Sequence, residues 1–181
     1  AHDFSPWQPD LVVVNLGTND NTVVNNQYNA AVKAGTEFDF ATAKSKYQAS
    51  VVTLLDKIRK NNPNAKIIWT YGAMGYGLTD NEGNQTGDWI KDAVAVWNET
   101  NGGATFYHMP ASQNGGGGHP ESIGSKYLGE GFAKFIAEYM GWEYSTETPE
   151  TYEYGEVIKD YTFDDGTTEG VYTNNLSYVS N

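Results

Sequence analysis

Apolar positions along the chain fall into two alternating patterns. Leu11, Val12, Val13, Val14 and Leu16 form a short, nearly unbroken apolar run between Pro9-Asp10 and Gly17. Such a run marks a strand buried on both faces of a parallel sheet. Residues 65–71 (AKIIWTY) and 104–109 (ATFYHM) repeat it, each behind a turn-rich stretch, Asn61-Asn62-Pro63-Asn64 and Asn101-Gly102-Gly103. Between the runs the period lengthens. Tyr47, Val51, Leu54, Leu55 and Ile58 share one helical face and predict a helix over about 43–60. Ile90, Ala93, Val94 and Trp97 predict a second, with Thr86 or Asp88 as candidate caps. Leu128, Phe132, Phe135, Ile136 and Tyr139 predict a third, with Gly141 where a C-cap glycine belongs.

Strands and helices in strict alternation predict an α/β fold with a doubly wound, mostly parallel sheet between helical layers. Ligands of such folds bind beyond the carboxyl ends of the strands. Two segments are read as loops at that edge: the Asn-rich residues 17–40 and the Gly-rich residues 72–87.

Composition narrows the partners. At 181 residues and 39% hydrophobic the chain can bury a sizeable core. A net charge of −12 argues against nucleic acid and anionic membranes, and leaves a neutral substrate unopposed. No apolar run approaches the roughly 20 residues that span a bilayer. The absence of cysteine removes disulfides, thiolate catalysis and cysteine zinc sites but leaves the compartment open. The chain opens on Ala1-His2-Asp3-Phe4, without an initiating methionine or a signal-peptide pattern, so a cut or partial N-terminus is expected. The acids Glu143, Glu147, Glu150, Glu153, Glu156, Asp160, Asp164, Asp165 and Glu169 face one base, Lys159. That shift places a boundary near Gly141. Residues 1–142 are read as the α/β domain, 143–160 as an acidic linker, and 161–181 as the start of a β-sandwich module.

Two loop motifs carry candidate chemistry. Gly17-Thr18-Asn19-Asp20 follows the first strand, where the glycine permits a sharp turn and Asn19 can offer its amide to a developing oxyanion. Gly115-Gly116-Gly117-Gly118-His119-Pro120 precedes the last helix, and histidine is the usual general base near neutral pH. Each motif alone also describes an ordinary loop or an exposed histidine. Tyr76 and Trp89, in or beside the Gly-rich loop, are candidate sugar-stacking aromatics, although a tryptophan opening a helix is more often core.

Together the motifs resemble a known family. PDLVVVNLGTND resembles the third sequence block of SGNH (GDSL-type) hydrolases, and GGHPESIGSKYLGEGFAKFI resembles the fifth. NPNAKIIWTYGAMG resembles the central strand of carbohydrate esterase family 2, the acetyl xylan esterase-like polysaccharide deacetylases. The resemblance covers about residues 7–141 and implies a flavodoxin-like three-layer α/β/α fold, incomplete at the N-terminus. It also implies that Asn19 is an oxyanion donor, that Asp20 and Gly17 support its loop, and that His119 is the base that activates a serine. No cofactor or metal enters that reaction. Its substrate is an acetylated polysaccharide or oligosaccharide, and such enzymes are secreted.

The chain departs from the pattern twice. Many SGNH enzymes carry an Asp three residues before the histidine, where this chain has Gly116. The resemblance then implies a Ser–His dyad with the imidazole held by a backbone carbonyl. The GDS nucleophile block is also absent, and Ser112, Ser122 and Ser125 sit on a glycine-rich loop or a helix, so the serine is expected upstream of Ala1. Asp164-Asp165-Gly166 resembles the opening of carbohydrate-binding modules whose acidic turn can hold calcium. The rival readings are a non-catalytic carbohydrate-binding or scaffold segment, and an SGNH lipase or thioesterase with a non-sugar substrate.

Overall fold

A computed structural model of the chain describes residues 6–111 and 119–145, without the side chains of residues 122 and 123. Contacts divide the chain into two units, Ala1–Tyr144 and Ser145–Asn181. The expectations for residues 146–181 lie outside the described residues.

The first unit runs β1 (Leu11–Asn15), α1 (Thr18–Ala34), α2 (Phe40–Asn61), β2 (Lys66–Tyr71), α3 (Thr86–Asn101), β3 (Ala104–His108) and α4 (Ser122–Met140). The three strands form a parallel sheet in the order β1-β2-β3. Val12 pairs with Ile67, Val14 with Trp69, Ile67 with Ala104 and Trp69 with Phe106. Paired residues share a sheet face, so Val14, Ile67, Trp69, Tyr71 and Ala104 point one way. Val51 and Leu55 of α2 and Ile90, Ala93, Val94 and Trp97 of α3 close on that face as one core. The opposite face carries Ile68, which is fully buried, and Tyr107, whose ring meets Phe132 and Phe135 of α4 at 5.0 and 4.7 Å. Helices thus cover both faces, giving the α/β/α layering that the alternating pattern predicts.

One element departs from the sequence reading. Residues 17–40 are not a long loop: they hold the 17-residue α1, which ends at the left-handed Gly35. Asn19, Asn21, Asn25, Asn26 and Asn29 are weak helix formers. The apolar spacing of Val24, Tyr28 and Ala31 is also blurred by Val23 and Val32, both exposed. Tyr28 packs with Phe38 and Phe40 at ring separations of 5.9 and 5.6 Å, which returns the chain sharply into α2.

β1 is an edge strand. Among the described residues it pairs with β2 alone, and Val13 and Leu16 are 42% and 55% exposed. Its outer backbone groups are therefore open to a further strand.

Candidate functional site

The turn after β1 is built around Gly17, which has φ +127° and caps α1. A Cβ there would lie 2.8 Å from Ile90 Cδ1 and 3.0 Å from the Tyr71 ring, so glycine is required by both conformation and space. The Gly17 carbonyl accepts from the Asn21 N–H at 2.8 Å and from the Tyr47 hydroxyl at 3.1 Å. Burial, then the charge of Asp20 and the neighbouring Tyr71, raise the Tyr47 pKa far above that of a free phenol, so its hydroxyl stays a donor. Asn19 and Asp20 stand exposed on the first turn of α1.

The loop after β2 folds on itself. Thr86 N–H donates to Leu78 O at 3.1 Å, Gly87 N–H to Tyr76 O at 3.0 Å, and Gln85 Nε2 to Gly77 O at 3.1 Å. The Asp80 carboxylate accepts from the N–H groups of Glu82 and Asn84 and from Trp89 Nε1, each at 2.9 Å. Burial pushes the Asp80 pKa up, but these three donors outweigh it and hold the group below the usual carboxylate range. Trp89 is 0% exposed and committed to Asp80, so it is a core residue and not a sugar platform. A residue that opens a helix above the sheet packs inward when its indole N–H finds a buried acceptor.

Tyr76 is placed differently. It is half-buried, its ring centroid lies 4.0 Å from that of His108, and Gly87 packs so closely that a Cβ there would run into the ring. Burial, then the charges of Asp88 and Asp92, push its pKa up to about 12. A cleft of about 540 Å³ lies between Thr18, Asn21 and Asn25 of α1 and Tyr71, Met74 and Tyr76 of the facing strand and loop. Among the described residues, none that lines it is charged.

His119 lies just ahead of α4. Lys66, at the start of β2, donates from Nζ to Tyr139 O at 2.6 Å, which pins the C-terminal end of α4 to the amino edge of the sheet. The helix spans 19 residues, about 28 Å at 1.5 Å per residue, so its other end reaches the carboxyl edge. His119 stands exposed just before that end. Asn19 follows the carboxyl end of β1 and Tyr76 that of β2, His119 precedes the N-terminal end of α4, and Trp89 is buried in the core. Gly116 and Ser112 lie outside the described residues, and Ser125 is exposed on α4. Sequence reasoning missed Asn21, Tyr47 and the stacking of His108 on Tyr76.

The sequence model of the GDSL-like lipase/acylhydrolase family matches residues 1–126. No curated protein matches the chain. Among solved structures, an acetyl xylan esterase of Butyrivibrio proteoclasticus superposes with a TM-score of 0.62 at 23% identity, covering 78% of this chain and 40% of that one. At this identity the likeness speaks for the fold. A family two carbohydrate esterase of Clostridium thermocellum, solved with cellohexaose, gives 0.58 at 25% identity over 78% and 39% of the two chains. A family 2 carbohydrate esterase with a carbohydrate-binding domain, from Corynascus thermopiles (Myceliophthora fergusii), gives 0.55 at 27% identity over 76% and 39%. The chain therefore spans about two-fifths of the length of the structures it matches.

Proposed function

Because the chain belongs to the GDSL-like lipase/acylhydrolase family, we propose that it supplies the oxyanion donor and the general base of a secreted serine esterase that removes acetyl groups from cell-wall polysaccharide or oligosaccharide. The observation that carries this reading is the family match over residues 1–126, supported by the position of Asn19 on the first turn of α1, directly after the carboxyl end of β1. The cleft, whose lining among the described residues is neutral, favours a neutral sugar ester over a charged substrate. The likeness to carbohydrate esterases, one of them solved with cellohexaose, supports the same class.

In this scheme His119 takes the proton of a serine hydroxyl as its Oγ attacks the acetyl carbonyl. The Asn19 amide donates to the oxyanion of the tetrahedral intermediate, a contact worth about 3–4 kcal/mol. Collapse breaks the ester C–O bond, and the imidazolium returns its proton to the departing sugar hydroxyl. Water, deprotonated by the same His119, then attacks the acetyl-enzyme and releases acetate. The serine lies upstream of Ala1 in this reading. The open outer edge of β1 gives it an entry, since a parallel strand added there would end beside Gly17.

The test is to express the natural coding region extended upstream of Ala1 and to assay 4-nitrophenyl acetate. The extended protein turns over and loses activity when its Gly-Asp-Ser serine becomes alanine, while residues 1–181 alone stay at imidazole-like background. Turnover by residues 1–181 alone that disappears on Ser112→Ala or Ser122→Ala would overturn the upstream nucleophile.

A further inference from the structure

The two walls of the cleft are joined by one side chain. Asn21 Oδ1 accepts from the Leu78 N–H at 3.0 Å and from the Thr86 hydroxyl at 2.9 Å. Leu78 lies 57 residues away along the chain and Thr86 lies 65, so the bond pair fastens the loop of residues 76–79 to the first turns of α1. Its own backbone N–H is anchored on Gly17 O at 2.8 Å, and the neighbouring Tyr47 holds the same carbonyl. Gly77, with φ +98°, is what allows the approach: a Cβ there would overlap the Thr86 hydroxyl and lie 2.9 Å from Asn21 Oδ1.

This arrangement also fixes which way the amide faces. An amide oxygen that receives two donors cannot be exchanged for the nitrogen without placing donor against donor. Thr86 is 0% exposed and lies outside the cleft lining, so Oδ1 is turned to the protein interior. Asn21 lines the cleft and is half-buried, and Nδ2 finds no acceptor among the described residues. A donor held by two bonds on its partner atom, at the wall of a neutral cleft, is suited to a substrate oxygen.

We propose that Asn21 is a substrate-binding and positioning residue: Oδ1 latches the Tyr76 loop to the Asn19 helix, and Nδ2 donates to a hydroxyl or carbonyl oxygen of a neutral sugar ester. The substrate part rests on the esterase reading, whereas the latch stands on the geometry alone. Asn21→Asp separates the two, because a carboxylate keeps both acceptor bonds and loses the donor. Asn21→Ala removes both functions.

The experiment is an NMR titration of the 181-residue chain with acetylated xylotetraose, joined to amide hydrogen exchange. The side-chain NH₂ signal of Asn21 should shift saturably with the backbone amides of residues 76–79. Asn21→Asp should weaken binding about tenfold and leave the Leu78 amide as protected as in the parent chain. Asn21→Ala should weaken binding similarly and speed Leu78 exchange about tenfold or more, since the part-buried N–H loses its acceptor and the Thr86 hydroxyl keeps only the longer bond to Tyr76 O at 3.5 Å. Exchange at Ile67 and Ile68 should stay unchanged in both variants, which reports an intact fold. If the backbone of the cleft responds and the Asn21 NH₂ does not, the donor role is overturned and the sugar-ester reading survives. If no cleft signal responds, the donor role and that reading fall together. Unchanged Leu78 exchange in Asn21→Ala overturns the latch.

Discussion

Asp80→Asn removes one charge and almost no volume, and the structure says what it costs. Two of the three bonds survive, because the remaining oxygen can still accept from the Glu82 and Asn84 N–H groups. The third does not. The new NH₂ faces Trp89 Nε1–H, formerly 2.9 Å from a carboxylate oxygen, and the indole is 0% exposed, so no water can replace the acceptor. A lost bond to a charged group, with a buried donor left unmet, costs about 2–3 kcal/mol. For a unit of this size that lowers Tm by roughly 6–12 °C. The pH dependence carries a sign. The Asp80 pKa is depressed on folding, so its contribution is present above the ordinary carboxylate pKa and is lost as pH falls through the folded value. Chemical denaturation of parent and variant at neutral and acidic pH should show a gap that narrows on acidification. A gap below about 0.5 kcal/mol at neutral pH, or one that widens in acid, would refute this account of the loop.

Gly17→Ala should destabilise by about 2–4 kcal/mol, measured by urea denaturation, because the residue meets both a disfavoured φ and the Ile90 and Tyr71 side chains. A neutral result would mean that the turn is not held as described. Tyr47, Tyr71 and Tyr76 should ionise later than free phenols in an alkaline titration of tyrosinate absorbance, burial being the first cause in each. Since folding favours their protonated forms, stability is fully present below about pH 10 and is lost as pH rises through the Tyr76 value of about 12. Tyr76→Phe should remove one late-titrating group; uniform ionisation near the free-phenol value would contradict the burial.

The sheet and three of the helices were legible because their signals are local. The apolar runs match β1, β2 and β3 to within a residue or two, and the face defined by Tyr47, Val51, Leu54, Leu55 and Ile58 lies inside α2. Gly141 closes α4 in the left-handed conformation expected of it. The cap of α3 is Gln85, one residue ahead of the two candidates; Thr86 opens the helix, and Asp88 completes the capping box by accepting from the Gln85 N–H at 2.9 Å. α1 was hidden because asparagines depress its propensity and little of it is buried.

The site was legible only where it is linear. Gly17 to Asp20 and His119 stand out as motifs, but the bonds that shape the cleft join residues far apart. Tyr47 reaches Gly17 across 30 positions, and Asn21 reaches Leu78 and Thr86 across 57 and 65. No period or spacing encodes such pairs. Trp89 was ambiguous for a related reason: an aromatic at a helix start reads alike as platform or core until its Asp80 partner is known.

The most direct test of the esterase account is acetate release from acetylated xylan by the full-length protein and its His119→Ala and Asn19→Ala variants, each confirmed as folded. The account predicts a loss of about 10⁴–10⁶ in kcat for His119→Ala and about 10²–10³ for Asn19→Ala. Acetate release that survives His119→Ala within tenfold would contradict it.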